Sequence, residues 1–206
     1  MDDKVKIIEY FRSNIFEAKS AYNAWKMIAY ARAMPVVGKE LAEKYTKVQN
    51  YHAPFFTIAE RSFLVTWIVM ICHVFDNDSR SYSLAKVDSE SYNNFVSDNE
   101  NSFVIEQLKT ARNKLFAHRD SGIDPKSITI PSVEKVDSFF NRLEDLYNKH
   151  SGIVEKSATS FNFAEDVKHV MEILYMNLER GEAVRLKEID IEWLWEKDDN
   201  KASKKV

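Results

Sequence analysis

A chain of 206 residues with 45% hydrophobic side chains can bury a substantial core, and its four glycines and four prolines are too few for a fold of many tight turns. Its single cysteine excludes an internal disulfide framework. A net charge of -3 excludes a global nucleic-acid footprint, so any surface for RNA must be local.

In chain order, residues 3 to 33 predict one long helix or two joined helices, with Val5, Ile8, Ile15, Tyr22, Trp25 and Ile28 on the apolar face. Pro35 and Gly38 punctuate its end, and a second helix is expected from Lys39 to Gln49. Tyr45 and Tyr51 fit core or interface packing better than base stacking. The most apolar run, Phe63 to Phe75, is too short to span a bilayer and is flanked by Glu60, Arg61 and Asp76. It reads as a central buried helix, and no membrane partner is expected.

Cys72, His73 and Asp76 lie within helical reach of one another, but three ligands on one helix are thin grounds for a metal, and none is assigned. Asp76-Asn-Asp78-Ser-Arg80 starts like a calcium loop, yet Ser81 and Val87 stand where glycine and glutamate are needed. Asp76 is expected near a helix end, with Ser83 as the cap of a short helix. Residues 88 to 101 read as a polar loop with one helical turn around Tyr92 to Phe95. A helix follows on Phe103, Val104, Ile105, Leu108, Ala111, Leu115 and Phe116, ending before Gly122 and Pro125.

Ser127 to Ile130 is extended in character. Pro131 and Ser132 then open a helix to about Lys149 that buries Val136, Phe139, Phe140, Leu143, Leu146 and Tyr147. Ser151-Gly152 is expected to break the chain. A last long helix runs from Ala164 to Arg180, stopped by Gly181. His150 and His169 show no motif around them. Ile189 to Trp195 alternates like a strand, or forms a short terminal helix, and residues 197–206 make a charged, disordered tail. There is no internal repeat, no phosphate-binding glycine loop and no nucleophile elbow.

The chemistry lies in Arg112-Asn-Lys-Leu-Phe-Ala-His118-Arg-Asp. Arg112 offers a planar fork of donors suited to a phosphate. His118 can give and take protons near neutral pH, and the end of a helix favours its protonated ring. Asn113 can orient the ring or a substrate. Six residues along one helix put Arg112 and His118 about 9 Å and roughly 120° apart, so two copies facing each other across a two-fold axis would converge better. Lys109, Lys114, Arg119 and Lys126 add a modest basic cluster suited to RNA.

This phrase resembles the Arg-polar…His motif of the HEPN superfamily, closest to the abortive-infection, AbiU-like branch. Val-Phe-Asp76 followed by Ser83-Leu84 is similar to the same branch. The resemblance implies an all-α, HEPN-like bundle of about five to seven helices, with an optional short C-terminal extended segment, over residues 1–196. It implies a metal-independent endoribonuclease of a toxin or anti-phage system, without cofactor. RNA is then the substrate and Arg112, Asn113 and His118 are the catalytic residues; from the basic cluster, Lys109, Lys114 and Arg119 are the expected RNA-binding residues. The site would be shared across a homodimer. In that chemistry the 2′-hydroxyl attacks the adjacent phosphate, leaving a 2′,3′-cyclic phosphate and a 5′-hydroxyl.

Asp120 stands where related toxins often carry a tyrosine that their antitoxin modifies, which argues against control by that route and leaves the type of any antitoxin open. With no signal peptide, the chain reads as cytosolic. The alternative is a catalytically silent HEPN dimer that binds RNA, nucleotide or a protein partner. A third reading is a helical regulatory protein whose motif match is accidental.

Overall fold

A computed structural model describes residues 3–76, 82–117 and 129–188. They form eight α-helices and one 3-10 turn, with no strand among the described residues, which is the expected all-α class. Seven helices are nine residues or longer, and the eighth is a single four-residue turn.

Helix α1 (Asp3–Ala29) buries Ile8, Phe11, Ile15, Ala18, Tyr22 and Trp25 at spacings of three and four, and packs most extensively on α4 (Ala53–Val74). It ends before residue 33 because Pro35 opens a new turn instead of closing an old one. In α2 (Met34–Val37) the proline sits in the first turn, where no backbone N–H is required. Gly38, at φ +81, links α2 to α3 (Lys39–Tyr51) in a conformation that disfavours side chains.

Helix α4 starts ten residues before the apolar run that marks it in the sequence. Pro54 sits in its first turn, and Glu60 and Arg61 do not interrupt it. At 22 residues it is, among the described residues, the one helix long and apolar enough to cross a membrane by length and composition. The apolar run supplies its buried face, while the turns before that run are largely exposed. Trp67, Ile68, Ile71, Cys72 and Val74 enter the core, while Phe55 and Ile58 are 56% and 67% exposed.

The polar stretch 88 to 101 is not a loop. Ser83 caps the 3-10 turn Leu84–Lys86, its hydroxyl accepting from the Ala85 N–H at 3.3 Å. The Asp88 carboxylate accepts from the Ser91 N–H at 3.2 Å and starts α5 (Ser89–Ser97). Asp98 accepts from the N–H groups of Glu100 and Asn101 and starts α6 (Asn99–Ala117). Side-chain caps thus convert a composition typical of loops into two helix starts.

Helix α7 (Val133–Val154) runs through Gly152, and α8 (Phe163–Glu188) runs through Gly181. A glycine inside a helix costs only about 1 kcal/mol relative to alanine. In α7 the turn around Gly152 is tied down by His150, and by Ser151, whose hydroxyl donates to the Ser157 carbonyl at 2.9 Å. The strand-like segment 189–195 and the tail 197–206 lie outside the described residues.

The main core joins α1, α4, α5, α6 and α7. Tyr22, Trp25, Trp67 and Phe140 pack ring to ring in it, as do Phe75, Phe95 and Phe139. Each fully buried side chain of this size contributes roughly 1.5–3 kcal/mol. A second cluster, with Tyr45, Phe56, Met171 and Tyr175, fastens α8 to α3 and α4. Buried Gln49 organises it, donating to the Ile28 carbonyl at 2.9 Å and the Tyr175 hydroxyl at 2.6 Å. The Lys19 ammonium bridges Glu144 at 2.6 Å and Glu165 at 3.6 Å, linking α1 to α7 and α8.

Candidate active site

The motif helix α6 buries Val104, Ile105, Leu108 and Ala111 in the core, and this fixes where its polar residues emerge. Phe103, expected on the apolar face, is 42% exposed, with the Lys135 ammonium 4.3 Å above its ring. Lys109 and Arg112 lie one turn apart and both reach the C-terminal end of α4.

Lys109 Nζ donates to the Phe75 carbonyl at 2.8 Å. That oxygen is one of those a helix end leaves without an intrahelical partner, and a cation there also suits the helix dipole. Three residues on, Arg112 Nη1 donates to both carboxylate oxygens of Asp76, at 2.9 Å each. Arg112 Nε reaches Asn113 Oδ1 at a longer 3.4 Å. The Arg112 and Asp76 side chains are 24% and 35% exposed, so the pair sits at the surface with one side in the protein.

Cys72 lies beneath this pair, fully buried. Burial pushes its thiol up to about 11; Arg112 and Lys109 oppose that rise and Asp76 adds to it. Burial also raises the Tyr92 hydroxyl, with Asp76 contributing. The carboxylate of Asp76 therefore lies among Arg112, Tyr92 and Cys72. Cys72 is buried whereas His73 is exposed, so the two point away from a common centre. No group of His, Cys, Asp and Glu among the described residues is arranged to hold a metal.

Of the residues singled out in the sequence, the structure brings Arg112, Asn113 and Lys109 together at the end of α4. Lys109 turns toward a backbone carbonyl, not toward solvent. Lys114 is half-buried on α6. His118, Arg119 and Lys126 lie outside the described residues; α6 is helical to Ala117, the residue before His118. Sequence reasoning placed Asp76 at a helix end but did not pair it with Arg112. The signals for Asp76 are an acidic residue closing an apolar helix and the Val-Phe-Asp76 … Ser83-Leu84 phrase. A cleft of about 460 Å³ between α6 and α7, lined by Phe103, Lys135, Ser138 and Arg142, is separate from Arg112.

An all-α fold with an arginine–amide pair near the end of a core helix is the arrangement that the resemblance to the HEPN superfamily implies. The chain belongs to the HEPN AbiU2 family, whose model, described as AbiU2, matches residues 4–173. The match spans α1 to α7 and the first part of α8. No curated protein and no solved structure matches the chain significantly.

Proposed function

We propose that this protein is a metal-independent endoribonuclease of a toxin or abortive-infection system. Its reaction is transfer of a phosphodiester to the neighbouring 2′-hydroxyl. The observation that carries the reading is Arg112, held half-exposed by Asp76 at the edge of the core, with His118 six residues on in the sequence.

Arg112 neutralises charge that develops on the non-bridging oxygens as the 2′-oxygen bonds to phosphorus and the 5′-oxygen leaves. His118 moves the proton, taking it from the 2′-hydroxyl or giving it to the leaving oxygen. Asn113 orients the ring or the substrate. Lys114 and Arg119 contribute charge toward the RNA backbone, which binds through its phosphates.

One arginine–histidine pair on one chain converges poorly, and a second copy completes the site. The side of α4 left uncovered among the described residues suits that partner. Ile58, Ser62, Val65, Val69 and His73 recur at helical spacing, all exposed or half-buried, on a predominantly apolar helix. The stripe runs toward the end of α4 where Asp76 grips Arg112, so a copy seated there meets both sites.

The test is incubation of purified protein with total RNA in excess chelator, beside Arg112→Ala and His118→Ala. The expected result is fragments with 2′,3′-cyclic phosphate ends, absent with either variant. Intact RNA in the presence of folded wild-type protein would favour the silent binding module. The neutralisation of Arg112 by a carboxylate within the same chain is the observation on that side.

A further inference from the structure

The carboxylate on Arg112 is more rigidly mounted than a surface ion pair requires. Asp76 follows Phe75, which is 2% exposed and stacks nearly parallel to Phe95 (3°, centroids 5.8 Å). Phe75 also packs on Tyr92 and against Phe139. Its carbonyl is held by Lys109. The backbone that carries Asp76 is therefore anchored from α5, α6 and α7 at once.

Exposed ion pairs contribute little to stability, because two long side chains lose freedom for a screened attraction. Here the acid has a short side chain on a fixed backbone, and most of the ordering falls on the arginine. Arg112 spends a single nitrogen, Nη1, on both carboxylate oxygens. The protons of Nη2 are not committed to Asp76. A guanidinium gripped by one nitrogen keeps its charge and its plane while offering donors to a second anion.

We infer that Asp76 is a positioning residue that orients the Arg112 guanidinium toward an incoming phosphodiester. The inference rests on the ribonuclease reading for its consequence in catalysis, and on geometry alone for its effect on Arg112. Asp76 makes no contact with the reacting atoms. It fixes the direction of the donors that do, and the Phe75 cluster and Lys109 keep it in place.

The same carboxylate sits close to where a phosphate must arrive and repels it. Its removal therefore affects binding and turnover in opposite directions. A misplaced guanidinium lowers kcat, and one negative charge fewer leaves KM unchanged or lower. A purely structural role would alter thermal stability and neither kinetic constant. A carboxylate that merely blocks Arg112 would, on removal, raise kcat.

The experiment uses full-length wild type, Arg112→Ala, Asp76→Asn and Asp76→Glu. RNA cleavage is measured as kcat and KM, and the arginine Nε–H resonance missing in Arg112→Ala is followed by NMR with and without a 2′-O-methyl RNA that cannot be cleaved. The proposal expects Asp76→Asn to lose about tenfold or more in kcat at equal or lower KM, the scale of a small misplacement of a reacting group. Asp76→Glu, which restores the charge, should recover part of it. The Arg112 resonance should be rigid and shifted by the uncleavable RNA in wild type, and mobile and unshifted in Asp76→Asn.

Unchanged or increased kcat in Asp76→Asn, with Arg112→Ala inactive, would overturn the inference and leave the nuclease intact. If wild type cleaves nothing, the nuclease reading falls and the resonance decides the inference. An Arg112 signal that is equally mobile in wild type and Asp76→Asn, or unmoved by RNA in both, would overturn it.

Discussion

His150 and Asp88 lie 62 residues apart, yet the Nε2 of the fully buried His150 ring is 3.1 Å from the Asp88 backbone carbonyl. Its Nδ1 is 2.8 Å from the Leu146 carbonyl one turn back in α7. One ring thus ties the last turns of α7 to the residue that caps α5. Because α5 carries Tyr92 and Phe95, which pack on Phe75, this tie lies behind the support of the candidate site. His150→Leu removes both polar contacts at a buried position, and the expected loss is about 1–3 kcal/mol. A fall in the urea midpoint with unchanged oligomeric state would show it.

Asp88 also makes the fold acid-sensitive at a defined place. Its carboxyl lies below the usual range, first through the Ser91 hydroxyl, then through the Ser91 N–H, with a smaller contribution from His150. A group whose folded value is depressed stabilises above its unfolded value, near 3.9, and loses that contribution as pH falls through the folded value. Asp88→Asn keeps a good cap without a titrating group. Between pH 4 and the acid limit its stability should therefore fall less steeply with acid than that of wild type, while the two differ little at pH 7. Thermal melts across that range measure the difference.

Cys72 should be chemically silent in the native state. With its thiol pushed up to about 11 by burial, the reactive thiolate is a small minority at pH 8. Iodoacetamide should alkylate it slowly in buffer and rapidly in denaturant. Fast labelling of folded protein would mean that the packing of α4 against α6 opens readily.

The side of α4 that is uncovered among the described residues yields a prediction about assembly. Ile58 is 67% exposed in one copy, so Ile58→Asp disturbs no core packing within it. If a second copy covers this face, the substitution buries an unpaired charge and should convert a dimer to a monomer of unchanged helicity. Sedimentation at micromolar concentration distinguishes the two. An unaltered wild-type dimer in Ile58→Asp would place the interface elsewhere.

Most of the helices were legible because their apolar residues recur at three and four, and α1, α3, α6 and α7 appear close to where that spacing puts them. The departures share a cause. Glycine and small polar residues usually mark chain breaks, yet helices run through Gly152 and Gly181 and start within residues 88 to 101. Both effects are local and worth about a kilocalorie, which caps and packed neighbours outweigh.

The motif, and with it the family, stood in the sequence by itself: Arg112, Asn113 and His118 are close along the chain, and no folding is needed to see them together. Their surroundings did not. Asp76 is 36 residues from Arg112, and although its local phrase resembles the family, nothing in that phrase says which residue the carboxylate pairs with. Only the packing of α6 on α4 brings the two within hydrogen-bonding distance and turns Lys109 to the Phe75 carbonyl. The same packing decided which side of α4 stays bare among the described residues. Hydrophobic spacing says that a helix has an apolar face, but which neighbours cover it depends on how many helices compete for one core, and that is set by the whole chain.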